Sequence, residues 1–308
     1  MLSGHTADPV DSPLRDRVSG VRAGANPTIV SISDIHGFLR QARSSLLTLS
    51  EHPAYDPVVE AGRMNRLQWV GDEKYVLVFN GDLIDRGPQS ERVLEMVERL
   101  IDQAPPGHVR VTLGNHEMGA LFPDCFDWDD WYSMALTDEK RRSFARAIRA
   151  GHVTAGYEGY AVTYAHAGLP EAYDVTAVND ELVAGAKALE SAIGTDEDRQ
   201  SQESLLREYP RVFGVSGHTG RGPDAGIAWL DFEHMPADAP PQVVGHTRTD
   251  KPVRKGNVIC QNVIRNNRRK DGGEAVFVET PDGVSAIRRR SDGGIEEHEF
   301  DLPEKETV

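Results

Sequence analysis

Cysteine is nearly absent: Cys125 and Cys260 are the only two in 308 residues, far apart and without the short spacing of a thiolate metal site. A disulfide scaffold and a zinc–thiolate site are therefore not expected, and the cytoplasm, a reducing compartment, is the expected location. Long apolar runs are missing as well. Hydrophobic residues make up 39% of the chain, and no stretch approaches the roughly 18 consecutive apolar residues of a membrane helix. The opening residues, MLSGHTADPVDSP, show no basic segment followed by an apolar one, so no secretory leader is expected. Lysine is scarce, 7 against 27 arginines, and acidic residues outnumber basic ones 49 to 34, for a net charge of -15. Such a chain repels phosphate backbones and anionic lipid, which argues against nucleic-acid and membrane partners. The same balance fits adaptation to high salt and, equally, an arginine-favouring genome.

What is present is an alternating pattern. Residues 1–26, rich in Pro, Asp, Ser and Gly, read as a flexible extension, with order beginning at Thr28. Apolar strand-like runs at 28–33, 74–79 and 108–113 alternate with helical periodicity at 38–50 and 89–103. Strand, helix, strand, helix, strand implies right-handed crossovers and a mainly parallel sheet. The residues between, 51–73, read as an insertion with a hairpin through 58–60 and 67–70. Further helices are expected at 128–150 and 175–193, with a strand at 160–165. Past Gly214 come short strands at 227–232, 242–244, 257–263, 274–279 and 283–288, read as a second sheet packing on the first. The expected organisation is one domain over 27–300 and an acidic tail at 301–308. The arginine runs at 266–270 and 288–290 read as solvated turn and edge-strand charges.

The chemistry lies at the strand ends. Asp34 and His36 follow the first strand, Asp82, Asp85 and Arg86 the second, Asn115, His116 and Glu117 the third, His166 the strand at 160–165, and His246 a later one. In an open α/β sheet, carboxyl ends of parallel strands share one edge, where ligands bind. Any one of these residues has an ordinary explanation as a cap or turn residue. Five clusters in succession do not, because caps do not demand imidazoles. Asp34 and His36 leave one strand close enough to turn onto one ion; Asp82 is suited to bridge two, with Asn115, His166 and His246 completing the second. Carboxylate, imidazole and amide ligands without thiolate suit Mn, Fe, Zn or Co better than Ca or Mg. Two ions about 3.5–4 Å apart activate water and clamp the oxygens of an in-line displacement.

The motifs Asp-x-His, GDLIDRG, GNHE, His-x-Gly and Gly-His, in this order, resemble the calcineurin-like metallophosphoesterase superfamily over about residues 28–265, and GDLIDRG with GNHE resembles its phosphoprotein phosphatase branch. The resemblance implies an α/β fold of two mixed β-sheets packed as a sandwich flanked by helices. It implies two divalent transition-metal ions, with Mn first: Asp34, His36 and Asp82 on one, and Asp82, Asn115, His166 and His246 on the other. It further implies His116 as the general acid, Asp85 orienting it, Arg86 holding the phosphate, and a metal-bridging hydroxide as nucleophile. A second phosphate-binding arginine is expected, either Arg221 or Arg248.

The sequence departs from the family's pattern in the fourth motif, His166-Ala-Gly, and in the last, Gly-His-Thr-Arg, which lacks a second histidine. His218 in Ser-Gly-His-Thr competes with His246 for the final ligand; the flanking Trp229 and the strand after Gly256 favour His246. The expected activity is phosphomonoester hydrolysis of protein serine/threonine phosphatase type, with phosphotyrosine as a further substrate. The alternative is a bis(5'-nucleosyl)-tetraphosphatase, towards which the Ala-Gly-Leu-Pro after His166 leans. A catalytically silent binding module is disfavoured because every ligand position is filled, and a nuclease by the net charge. Substrate specificity is expected in loops 51–73 and 119–158; the oligomeric state has no signal.

Overall fold

In the computed structural model the described residues are 2, 14–21, 26–126, 128 and 130–302. The first half alternates as the periodicity predicts: β1 (Thr28–Ile32), α1 (Leu39–Thr48), the short strands β2 (Val59–Ala61) and β3 (Leu67–Trp69), β4 (Tyr75–Phe79), α2 (Ser90–Gln103), β5 (Val109–Thr112) and α3 (Asn115–Leu121). There follow α4 (Asp138–Arg149), β6 (Val153–Thr154), β7 (Gly156–Glu158), β8 (Thr163–Ala165), α5 (Val175–Ala192), α6 (Asp198–Glu208) and α7 (Pro210–Phe213). The chain ends with β9 (Gln242–Val244), β10 (Val253–Lys255), β11 (Val258–Cys260), α8 (Ile264–Asn267), β12 (Ala275–Thr280), β13 (Gly283–Arg289) and β14 (Ile295–Phe300).

The strands form two mixed sheets flanked by helices: β14-β13-β12-β1-β4-β5-β6 and β10-β11-β9-β8-β7. In the first, β1, β4, β5 and β6 run parallel, so their carboxyl ends share an edge, while β12 joins β1 antiparallel. One apolar layer is drawn from alternate residues of both sheets, including Ile29, Val76, Val78 and Phe277 from one and Tyr164, Val243 and Ile259 from the other. The intervening residues Val30, Ile32, Leu77 and Phe79 face the helices, where α2 contributes Val93, Val97 and Leu100. This period of two in the strands and of 3.6 in the helices is what makes a layered fold from a local pattern. Asn80 joins the layers directly: its Nδ2 donates to Ala165 O and Val243 O, each at 3.0 Å, and its Oδ1 accepts from Thr112 Oγ1 at 2.7 Å.

Several expectations are corrected. The late strands do not make a sheet of their own: β9, β10 and β11 join the second sheet, whereas β12, β13 and β14 extend the first. Residues 227–232 form turns and a short 3-10 segment, although Ile227, Ala228, Trp229 and Leu230 are buried as a strand's would be. Among the described residues of 128–150, helix is confined to a short 3-10 segment at 133–135 and to α4. Part of the stretch read as a flexible extension is packed onto the body: Val18 and Val21 join the inter-sheet layer, Arg17 bridges to Glu158, and Arg15 pairs with Asp16 and Asp180. The rest of that extension (residues 1, 3–13 and 22–25) and residues 303–308 of the expected tail lie outside the described residues. The hairpin in the insertion forms, with Val59 opposite Trp69 and Ala61 opposite Leu67. Among the described residues no helix is long and apolar enough to cross a membrane, and both cysteines are free.

Candidate active site and metal centre

The loops after β1, β4 and β9 turn sharply, with side chains as well as glycines in the left-handed region. Among the described residues, six of the ten non-glycine residues with positive φ are Asp34, His36, Asp82, Asp85, Arg86 and His246. Left-handed backbone costs an ordinary residue about 1–2 kcal/mol, so six such residues on one edge concentrate strain where function is expected. Gly81 is required beside them. Its φ is +76°, and a Cβ there would lie 2.5 Å from His166 Nδ1.

The turns bring the predicted residues together. Asp82 Oδ2 lies 3.4 Å from both His36 Nε2 and His166 Nε2, and 4.0 Å from His116 Nε2. Two overlapping groups result, His36–Asp82–His116 and Asp82–His166–His246, in each of which one atom per residue lies within 4.8 Å of the others. Asp34 Oδ1 is 3.8 Å from His36 Nε2, and Asn115 Oδ1 is 3.3 Å from His166 Nε2 and 3.0 Å from His246 Nδ1. His246 is buried within this cluster, whereas His218 is exposed in a turn outside it.

The imidazoles are oriented by their outer nitrogens. His36 Nδ1 donates to Ile84 O and His166 Nδ1 to Asn80 O, both at 3.0 Å, which leaves each Nε2 facing the cluster. Asp34 Oδ2 accepts from His246 N at 3.1 Å, while its Oδ1 is buried with no partner, as is His246 Nε2. A buried carboxylate oxygen left without a donor is costly unless a cation supplies the missing charge. The donor set fits a transition-metal pair: carboxylate, imidazole and amide, with the Cys260 thiol turned away to Gly245 O and Thr247 O.

Packing so many charges without solvent shifts their titration. Burial, with Asp82 beside it, pushes Asp34 up to about 7. Burial would raise Asp82 too, but the facing His166, His116 and His36 hold it well below the carboxylate range. Burial drives His36 and His246 well below the usual imidazole value, whereas for His166 the contact with Asp82 outweighs burial and raises it to about 9.

A second cluster adjoins the first. His116 Nδ1 sits 2.6 Å from Asp85 Oδ2, so its Nε2 points towards Asp82. Asp85 is itself fixed by the Ser133 backbone N–H at 2.8 Å and the Ser133 hydroxyl at 2.7 Å. Trp131 stacks on the His116 ring at 4.6 Å, and the Arg86 guanidinium lies 4.3 Å from a Trp131 ring centroid. Trp128 and Trp229 complete an aromatic wall that reaches His246. Arg221 is held by Asp231 at 2.9 Å and by Thr247 Oγ1 at 3.3 Å. Burial lowers the Arg86 guanidinium, and the nearby Arg248 and Arg221 add to that, so all three belong to one positive rim.

Sequence reasoning assigned no role to Glu117, Ser133, Trp131 or Arg265. Glu117 Oε2 accepts from Asp82 N at 2.8 Å and Gly114 N at 3.2 Å, and its Oε1 from Leu83 N at 2.8 Å; it fastens the loop that carries Asp82 to the start of α3. Its place in GNHE was the available signal. Arg265 belongs to the same rim, lowered to about 10 by burial and by Arg86, Arg248 and Arg268. Ser133 and Trp131 come from a loop with no spacing rule to reveal them.

Comparison with known proteins agrees with this architecture. Over 90 residues the chain is 34% identical to the symmetrical bis(5'-nucleosyl)-tetraphosphatase of Baumannia cicadellinicola subsp. Homalodisca coagulata, a match that spans 29% of this chain and 23% of that protein. Its fold is similar to the cold-active protein-tyrosine phosphatase of a psychrophilic Shewanella sp., at 19% identity and a TM-score of 0.55, covering 94% of this chain and 85% of that one. A further structure of a cold-active protein tyrosine phosphatase gives a TM-score of 0.57 at 18% identity, covering 94% and 83%. The family model for calcineurin-like phosphoesterases matches residues 27–220, more than half the chain, and the chain is accordingly a member of the calcineurin-like phosphoesterase family of hydrolases.

Proposed function

We propose that this hydrolase is a phosphomonoesterase of protein-phosphatase type, acting on phosphoserine or phosphothreonine and, with the same machinery, on phosphotyrosine. The observation that carries the reading is the Asp85–His116 pair, 2.6 Å apart, beside the Asp82 cluster. An alkoxide is a poor leaving group without a proton, and an imidazole held through one nitrogen by a carboxylate is placed to supply it from the other. Asp34, His36 and Asp82 would hold one divalent ion; Asp82, Asn115, His166 and His246 the other, with Mn the first choice. When bound, the two ions supply positive charge against the phosphoryl oxygens and an activated water.

The remaining roles belong to the chain. Arg86, backed by the Trp131 ring, binds the phosphate oxygens in the bidentate manner a guanidinium allows. Arg221 is the better candidate for the second phosphate-binding arginine, because Asp231 and Thr247 fix it next to His246; Arg248 is the alternative. Trp131 and Trp128 pack against the His116 ring and help to keep it from bulk water. The reducing cytoplasm remains the expected setting for a chain with two free thiols.

The dinucleoside-tetraphosphatase reading is kept as second because of the local 34% identity to a protein of that name. The deciding experiment is Mn-supplemented turnover of phosphoserine, phosphothreonine and phosphotyrosine peptides beside diadenosine tetraphosphate. Efficient hydrolysis of the dinucleotide with none of the peptides would replace the first reading by the second.

A further inference from the structure

A run of arginines leads away from the active site along α2. The cavity beside Arg86 measures about 900 Å³ and is bordered further along by Gln89 and Arg92. The next, about 560 Å³, shares Gln89 and Arg92 and adds Arg40 and Arg43. The third, about 410 Å³, shares Arg43 and Arg92, adds Arg66 and Arg99, and is roofed by Met64 and Asn65 of the hairpin. Arg92 borders all three, so they adjoin one another as a trough along α2.

The positive charge in it is only partly neutralised from within. Of the acids along the trough, Asp85 is taken by His116 and Ser133, Glu91 by Lys140 and Glu51 by Arg289; Asp130 and Glu95 remain. Arg40, Arg43, Arg66 and Arg92 have no ion pair among the described residues, and Arg43 Nε is buried without a partner. Burial lowers the Arg99 guanidinium, and its neighbours Arg66 and Arg43 lower it further, opposed by Glu95. Elsewhere in the chain several buried or half-buried arginines meet carboxylates, as in Arg141–Asp198 and Arg221–Asp231, or backbone carbonyls, as Arg110 does at Val109 O and Gly151 O. The four unpaired guanidiniums border the cavities, Arg43 half-buried and Arg40, Arg66 and Arg92 exposed, so in a protein of net charge -15 they form a local positive patch placed to meet an anion.

We infer that this trough binds the acidic flank of the phosphorylated peptide whose phosphate is held at Arg86, making the protein selective for phosphosites surrounded by Asp or Glu. The inference rests on the protein-phosphatase reading and adds the sequence class of its substrate. Its beginning at Arg86 and its extent over three adjoining cavities favour an extended chain over a compact ligand. The rest of the acidic surface repels such a peptide, so the trough also steers it into register.

The test compares two phosphoserine peptides of equal length, one flanked by Glu and one by Lys, together with p-nitrophenyl phosphate. The wild type should show a kcat/KM at least about tenfold higher for the Glu-flanked peptide, carried mainly by KM and shrinking as salt is raised. Arg43→Glu with Arg66→Glu should remove that preference and leave p-nitrophenyl phosphate turnover unchanged; the milder Arg43→Gln with Arg66→Gln should give an intermediate loss and guards against a folding defect. Equal kcat/KM for the two peptides in the wild type, or a preference that survives both variants, overturns the trough while leaving the parent reading intact. Hydrolysis of p-nitrophenyl phosphate or diadenosine tetraphosphate with neither peptide touched overturns the parent reading and the trough with it.

Discussion

At the scale of single residues, the site is a set of charges that are tolerable only in each other's company. Asp82 lies within 3.4 Å of two imidazoles and also accepts from His116 N through its other oxygen. Asp82→Asn should therefore abolish turnover and bound metal while the fold survives; two tightly bound ions in the variant, measured by elemental analysis, would refute the bridging role. His246→Ala should do the same in weaker form and His218→Ala should do little, the reverse pattern moving the ligand to His218. His116→Asn separates the acid from the ligands. General acid help is typically worth about 10²–10⁴-fold, so the loss should be of that order on a phosphoserine peptide and clearly smaller on p-nitrophenyl phosphate, whose leaving group departs largely unaided. Equal losses would make His116 a positioning residue. Glu117→Gln should reduce turnover indirectly, by loosening a loop whose Asp82 and Leu83 N–H groups it holds at 2.8 Å.

At the scale of elements, the helices that cover the site loops are tied by a buried ion pair. Arg141 in α4 meets Asp198 in α6 at 2.7 Å and also donates to Leu121 O at the end of α3. Breaking such a pair from one side typically costs about 3–5 kcal/mol, whereas replacing both partners by apolar residues is often neutral. Arg141→Ala should lower the melting temperature by several degrees, and Arg141→Met with Asp198→Leu should recover most of it. Burial would raise the Asp198 carboxyl, but hydrogen bonds from Arg141 and Gln202 pull it below the usual range. A depressed carboxyl stabilises fully at neutral pH and loses that contribution as pH falls through its lowered value, so Asp198→Asn should differ most from the wild type at pH 7 and converge with it below about pH 4. The elements themselves were legible in proportion to their locality. β1, β4, β5, α1 and α2 announce themselves by period, while the assignment of β12 to the first sheet rests on pairing with β1 across more than two hundred residues, which no local pattern encodes. Helix α6, with mostly polar residues and Leu205 alone as its buried hydrophobe, offered too weak a stripe, and 227–232 offered an apolar run that is buried for reasons other than strand pairing. The site was more legible than the fold because its ligands are rare residue types in fixed motifs; Ser133 and Trp131, which shape His116, come from a loop without one.

At the scale of the whole molecule, the proposed ligands straddle the sandwich. Asp34, His36, Asp82 and Asn115 follow strands of the first sheet, and His166 and His246 follow strands of the second. Bound ions would thus fasten the two layers where Asn80 already joins them. A ligand at 100 times its dissociation constant stabilises by about 2.7 kcal/mol, which for a chain of this size corresponds to a rise of a few degrees in melting temperature. Differential scanning calorimetry with Mn and with a chelator should show that rise, and identical transitions would argue against a metal between the sheets.

Three of the four tryptophans, Trp128, Trp131 and Trp229, stand in one wall against His116 and His246, and the fourth, Trp69, lies in the hairpin. Three of the four indoles thus report on the site. A paramagnetic ion settling beside His116, or a phosphate drawn onto Arg86 over the Trp131 ring, will change the indole emission without any label being attached. Trp69→Phe leaves a chain whose whole tryptophan signal comes from the wall, so occupancy can be titrated in a cuvette before any substrate is known.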